Sequence, residues 1–438
     1  MTTIRKLIED VYMWDMAPVS PDGDRLAARL QEELPFEVRS FASGTEKNGW
    51  GIPNSWHYGK AEIRKDGKLI YDGRAHPLGV AGYSPSVHKK VGLEELREHL
   101  VYSNEWPEDL VFHCTHFFRP LEREWGFSVP KTLFDSLEEG EYEVLIEAVE
   151  APGQLRALEY RLQGESDEEV FFHAHSCHPG QANDDLSGVA CGVELFKRLV
   201  QRSDRKYTYT LLVSPELFGS FFWLDSLPKE RIAKLKYGVM LKSVGNDAPM
   251  KLQLSYPGDT EIDLAGRNAL RSVQGEFVEG PFRRVYGNDE TIFEAPGYEI
   301  PTISLTRYPF PEYHTSRDTP EILPHERLEE TVAILERLCH SLDHNHRLQR
   351  HFEGLLGLSH PRYDLYQRYY NPAERGGPGR GAQYDWHYLM IDMFRDLDGR
   401  IGLLEIAERH KLPFDKVLEY FTKFRDTGAI SFVTAPAA

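Results

Sequence analysis

Residues 169–188 read Glu-Val-Phe-Phe-His173-Ala-His175-Ser-Cys177-His178-Pro-Gly-Gln-Ala-Asn183-Asp184-Asp185-Leu-Ser187-Gly188. Val170–Ala174 is a short apolar run, interrupted only by His173, and predicts a buried strand. It leads into a loop dense in imidazole and carboxylate. A helix is expected next, over Gly188–Val200, where Val189, Val193, Leu195, Phe196 and Leu199 supply the apolar spacing. Strand, polar loop and helix in that order make one unit of an α/β sheet, and such sheets form sites where strands end.

Working outward, the same alternation recurs. Asp109–Phe117, Tyr142–Ala148, Tyr207–Val213, Tyr237–Leu241 and Ile300–Leu305 read as strands, and Gly219–Leu227 and Leu328–Leu342 as helices. The pattern implies an α/β sheet with helices on both faces. Upstream, residues 2–14 and 24–33 read as helices. The stretch from Gly49 to about Val91 is instead rich in Gly, Pro, Tyr and Trp and reads as a small β-rich module. Within it, Lys65-Asp66-Gly67-Lys68 reads as a hairpin turn, because Asp-Gly tolerates the positive φ that such turns need. Gly376–Gly381, GGPGRG, lacks phosphate-loop spacing and reads as a linker. Beyond it, residues 384–438 read as helix (385–397), turn at Asp398-Gly399, helix (402–410), helix (414–426) and a strand near Ala429–Val433. That order is winged-helix-like.

A chain of 438 residues is long enough for two or three domains. Its formal net charge of −18 repels phosphate backbones and argues against nucleic acid as the main substrate. Residues 380–438 also lack a basic excess, so protein contact or dimerisation is the expected role of the tail. Homo-oligomerisation is left open. The four cysteines, Cys114, Cys177, Cys191 and Cys339, are widely spaced, as expected of thiols in a reducing compartment. No signal-peptide pattern and no long apolar run is present, and the expected location is cytoplasmic.

Three segments carry chemistry. The first is the loop from His175 to Asp184, whose imidazoles and carboxylate are the donors zinc takes in catalytic sites, with one position left open for water. The second is Ser214-Pro215-Glu216-Leu-Phe-Gly219-Ser220, which puts a carboxylate at a strand end, as base or ligand. The third is Glu312-Tyr313-His314-Thr315-Ser316-Arg317-Asp318. There His314 is a candidate ligand and Asp318 is expected to orient its ring. No serine-hydrolase elbow and no HExxH helix is found.

Together these segments resemble the co-catalytic zinc aminopeptidases, including bacterial leucyl aminopeptidases. More closely, they resemble a bacterial family of aminopeptidase-like proteins. The residues that carry the closer resemblance are His175-Ser-Cys177-His178-Pro179, Asn183-Asp184-Asp185-Leu-Ser187-Gly188, Pro215-Glu216-Leu-Phe-Gly219-Ser220, Gly287-Asn288-Asp289-Glu290 and Tyr313-His314-Thr315-Ser316-Arg317-Asp318. Trp50-Gly-Ile-Pro-Asn-Ser-Trp56 and the tail match the insertion and winged helix of that family.

The resemblance implies a zinc-exopeptidase-like sheet with an inserted β-rich subdomain and a C-terminal winged helix. The implied boundaries are 1–45 and 126–375 for the peptidase-like domain, 46–125 for the insertion and 380–438 for the tail. It implies a zinc-dependent aminopeptidase-like hydrolase acting on a peptide or small amide, with Glu216 catalytic. The implied metal candidates are His175, His178, Asp184, Glu216 and His314. His175 and His178 compete for one corner. Relatives have two adjacent glutamates where this chain has Pro215-Glu216. They carry a further carboxylate near Leu241–Ser243, where this chain has Lys242 and only later Asp247. The expected zinc count is therefore one or two. A catalytically degenerate binding protein and a deacetylase or amidase in polysaccharide metabolism are the alternatives.

Other residues have plainer readings. His173 is read as a core histidine, Cys177 as a small packed group, and Asp185 as the cap of the following helix. Asp289 and Glu290 are expected to face substrate. His340, His344, His346 and His351 are read as a solvated surface.

Overall fold

From Gln154 to Asp343 strands are interleaved with helices, and all seven strands in that span join one eight-stranded mixed sheet. The computed structural model describes residues 3–113, 123–367 and 382–433. The strands used below are β1 (Glu37–Ala42), β2 (Ser55–Lys65), β3 (Lys68–Asp72), β4 (Val87–Gly92), β5 (Glu141–Ala151), β6 (Gln154–Leu162), β7 (Glu169–His175), β8 (Thr208–Ser214), β9 (Leu235–Lys242), β10 (Lys251–Gln253), β11 (Val278–Gly280), β12 (Thr302–Thr306), β13 (Arg347–Arg350), β14 (Asp398–Gly402) and β15 (Ile430–Val433). The helices are α1 (Thr3–Val11), α2 (Pro21–Gln31), α3 (Ser187–Val200), α4 (Phe218–Ser226), α5 (Glu261–Gln274), α6 (His325–Asp343), α7 (Ala382–Asp392), α8 (Leu403–Arg409) and α9 (Phe414–Asp426).

The main sheet runs β1-β6-β8-β7-β9-β12-β10-β11. Its centre, β8-β7-β9-β12, is parallel. Every residue of β7 and β8 is buried, as in central strands covered on both faces. Val170, Phe172, Leu211, Val239 and Leu241 face one core, with Val189, Val193 and Phe196 of α3. Phe171, Leu212 and Met240 face another, with Phe222, Trp223 and Leu224 of α4. Helices therefore cover both faces. From β7 the chain passes through α3 to β8 on one side, and from β8 through α4 to β9 on the other. The order reverses at β7, and the carboxyl ends of these strands form a crevice.

The β-rich module is a four-stranded antiparallel sheet, β3-β2-β5-β4. Its hairpin holds Asp66 at φ 52° and Gly67 at φ 75°, the positive pair that Asp-Gly permits. Two strand expectations need correction. Tyr142–Ala148 belongs to β5 and lies in this module, not in the α/β sheet. Tyr142, Val144 and Ile146 are buried and alternate with more exposed neighbours, as in a strand covered on one face. Over the expected strand Asp109–Phe117, residues 114–117 lie outside the described residues. The described part makes only an isolated bridge, Val111 to Thr315.

At the C-terminal end, β13 lies between β14 and β15 in an antiparallel three-stranded sheet. The turn expected at Asp398-Gly399 lies inside β14, the helix expected over 385–397 gives way to a 3-10 turn at Met393–Arg395, and GGPGRG falls outside the described residues. Asn268 of α5 donates to Glu408 (2.8 Å) and to the Leu412 carbonyl (3.0 Å), which fixes α8 against α5. Among the described residues no helix is long and apolar enough to cross a membrane.

Candidate metal centre

The crevice gathers residues from four strand ends. His175 closes β7, Glu216 follows β8, Lys242 closes β9 and His314 lies in the loop after β12. His173, two residues before His175 and on the same face, bonds Ser214 Oγ through Nε2 at 3.0 Å inside the sheet.

Two buried carboxylates shape the loops. Asp185 accepts the His175 N–H (3.2 Å) and the Ser243 N–H (2.9 Å), and so joins the ends of β7 and β9. It does not cap α3, whose start carries no side-chain cap. A Cβ on Gly188 would lie 2.6 Å from Asp185 Oδ1 and 2.7 Å from the Leu241 carbonyl, so glycine lets α3 begin there. Asp318 does not orient His314. It accepts the N–H groups of Asn183 (2.6 Å) and Asp184 (3.0 Å), which the irregular loop would otherwise leave unsatisfied.

His178, Asp184 and His314 converge. Asp184 Oδ2 lies 3.1 Å from His314 Nε2 and 3.6 Å from His178 Nε2. The ligand atoms of the three residues all lie within 4.8 Å of one another. His178 Nδ1 donates to the Pro179 carbonyl at 3.2 Å, so Nε2 is the ring nitrogen turned toward Asp184. Both His178 Nε2 and Asp184 Oδ2 are buried without a hydrogen bond. Phe112 stacks on His178 (4.2 Å between centroids) and Tyr313 on His314 (3.8 Å). The Phe112 N–H donates to the His314 carbonyl at 2.9 Å, and Leu110 and Ser316 bond reciprocally beside it.

A second group lies alongside. His175 Nε2 is 3.2 Å from Asp184 Oδ1 and 3.9 Å from Glu216 Oε2, and Cys177 Sγ is 3.6 Å from His175 Nδ1. The buried Lys242 ammonium bonds both His175 Nε2 and Asp184 Oδ1. Burial opposes its charge most strongly, but Asp184, Tyr286, Glu216 and Tyr313 together outweigh burial and keep the lysine well above its usual range. Burial, with the Lys242 charge, pushes the His175 imidazole down to about 3, so it is neutral. Burial pushes the Glu216 carboxyl up to about 7 against the Lys242 charge. Burial likewise raises the Cys177 thiol.

Asp289 and Glu290, expected to face substrate, are fully buried supports. Asp289 accepts the Leu217 N–H at 2.8 Å and the Ser220 hydroxyl, anchoring the backbone beside Glu216. Burial pushes its carboxyl up to about 6. Glu290 accepts from Gln253 at 3.1 Å. Asp247 pairs with Arg327 at 2.8 Å and takes no part in the site. His340 and His344 pair with Asp415 (3.4 Å) and Asp204 (3.1 Å), away from the crevice. In the sequence Lys242 stood out only as a missing carboxylate. A charged residue ending a buried strand was the available signal. The stacked rings of Phe112 and Tyr313 had none.

A family described as a domain of unknown function, DUF4910, matches residues 5–345, and the chain belongs to it. A Clostridium acetobutylicum protein described as a candidate polysaccharide biosynthesis protein with aminopeptidase-like domain is 28% identical over 395 residues, covering 89% of this chain and 86% of its own. The crystal structure of a candidate peptidase from Clostridium acetobutylicum matches at TM-score 0.84 and 26% identity, covering 98% of this chain and 96% of that one. BSAP, a zinc aminopeptidase from Bacillus subtilis, matches at TM-score 0.57 and 14% identity, covering 77% of this chain and 94% of that one. The fold is the peptidase fold that these structures share.

Proposed function

We propose that this member of the DUF4910 family is a zinc-dependent hydrolase of aminopeptidase type, cleaving an amide bond near a free amine. The observation that carries the reading is the convergence of His178 Nε2, Asp184 Oδ2 and His314 Nε2, two of them buried and without hydrogen bonds. Two imidazoles and a carboxylate are a donor set that catalytic zinc takes, with a fourth position left open. Such an ion, when bound, polarises a carbonyl and makes water more acidic.

The chain's own groups do the rest. Glu216, poised at about 7, accepts the proton of the attacking water and passes it to the leaving amine. Asp289 holds the Leu217 N–H and so fixes the backbone on which Glu216 is mounted. The rings of Phe112 and Tyr313 stack on the two histidines and hold their planes in place. An amidase or deacetylase acting on an amino sugar is a second reading, favoured by the polysaccharide description of the Clostridium relative.

The test uses full-length protein loaded with zinc and dialysed. Zinc bound to the chain and lost in His178→Ala and His314→Ala supports the metal reading, and a metal-free wild type refutes it. Glu216→Gln is expected to keep its zinc and lose turnover by roughly 10²–10⁴. Aminoacyl anilides assayed against N-acetylated sugars decide between the two substrate classes.

A further inference from the structure

We propose that the Lys242 ammonium is a built-in cation occupying a second metal position, so that the centre takes one ion and excludes another. The inference rests on reading His178, Asp184 and His314 as the site of the first ion.

The groups around Lys242 form a cation cage. His175 Nε2 and Asp184 Oδ1 face one another at 3.2 Å, Glu216 Oε2 lies 3.9 Å from the same nitrogen, and Cys177 Sγ lies behind the ring at 3.6 Å. His175, Cys177 and Glu216 bring their donor atoms within 4.8 Å of one another, a spacing that could hold an ion. Its His175–Asp184 side is already occupied. The Lys242 ammonium enters from the end of β9 and bonds His175 Nε2 and Asp184 Oδ1. The Tyr286 ring, 5.2 Å from Nζ, covers another side. An ammonium has donors only, so it consumes the lone pair that His175 would offer a metal. The His175 ring proton must then lie on Nδ1, toward Cys177.

Asp184 thus gives one oxygen to the lysine and leaves the other toward the two imidazoles. Oδ1 serves Lys242, and Oδ2 faces His178 and His314. A carboxylate that would bridge two metals in a two-ion centre would here hold the lysine with one oxygen and keep the other for a single ion. A second divalent ion would have to displace a fully buried positive charge and then lie beside the space it left. Both requirements oppose it.

The experiment measures zinc per chain in full-length wild type and in Lys242→Asp, each stripped, reloaded with excess zinc and desalted. One zinc in the wild type and two in Lys242→Asp is the expected result, since aspartate removes the ammonium and supplies a ligand. Two in the wild type overturns the inference while leaving the metal reading intact. One in a folded Lys242→Asp, with an unchanged circular dichroism spectrum, also overturns it. No zinc in the wild type removes the metal reading itself and the inference with it. Should Lys242→Asp not fold, anomalous diffraction at the zinc edge from wild-type crystals in excess zinc decides. A single peak among His178, Asp184 and His314 supports the inference, and a peak at bonding distance from His175 Nε2 overturns it.

Discussion

Asp289→Asn is expected to make the protein more stable at alkaline pH than at acid pH, relative to wild type. Asp289 is fully buried, and its carboxyl is pushed from an ordinary 3.8 up to about 6, chiefly by burial. A folded value above the unfolded one means that the native state holds the proton more tightly. The contribution of this group to stability is therefore fully present below the unfolded value and lost as pH rises through the folded one. The shift of roughly two units corresponds to about 3 kcal/mol lost across the whole window. Between pH 5 and pH 8 the linkage relation gives a loss of about 1.5 kcal/mol. Asparagine keeps an oxygen to accept from Leu217 and Ser220, but it does not titrate. Asp289 Oδ2 has no hydrogen bond, so an amide there displaces no partner. The assay is urea unfolding of both proteins at pH 5 and pH 8 with chelator present. The stability of the variant minus that of wild type should grow by about 1.5 kcal/mol from the lower pH to the higher. A difference that does not change with pH would falsify the assignment of a buried, proton-binding carboxyl to Asp289.

Three further outcomes are expected. Asp318→Ala strands two buried N–H groups, at Asn183 and Asp184. It should cost about 2–5 kcal/mol in unfolding free energy and roughly 10–100-fold in zinc affinity, read by denaturation and competitive titration. Gly188→Ala forces a Cβ against Asp185 and the Leu241 carbonyl and should destabilise by about 1–3 kcal/mol, measured as a lowered Tm. Chelation of zinc-loaded protein should lower unfolding free energy by about 3–4 kcal/mol at zinc concentrations 100 to 1,000 times the Kd, whereas His178→Ala should show no such loss.

The central unit was legible because β7 is buried at every position, and its apolar run ends where the ligand types begin. Asp184 and His314 could be singled out because each lies in a loop bordered by clear elements. Sheet membership was not legible for β5. Its partner strand lies far away in sequence, with Trp56 opposite Glu150, and no local pattern records a distant register. The duties of Asp185 and Asp318 were hidden for a related reason. A carboxylate before a helix looks like a cap, and one near a histidine looks like its orienter. Both serve backbone N–H groups whose need for an acceptor arises only once the chain has folded. Lys242 was visible as a departure from a pattern, but its contacts with His175 and Asp184 exist only across the sheet.

The contact between Lys242 and Asp184 also bears on the order in which such a protein matures. Metal centres built wholly from anions and imidazoles often cannot form until the ion arrives, and folding then waits on supply. Here part of the positive charge is encoded in the polypeptide and arrives with translation. The chain can complete its sheet, close the loop around Asp184 and emerge as a finished apoprotein. On the proposed reading, metallation would then follow folding, set by zinc supply rather than by the timetable of folding.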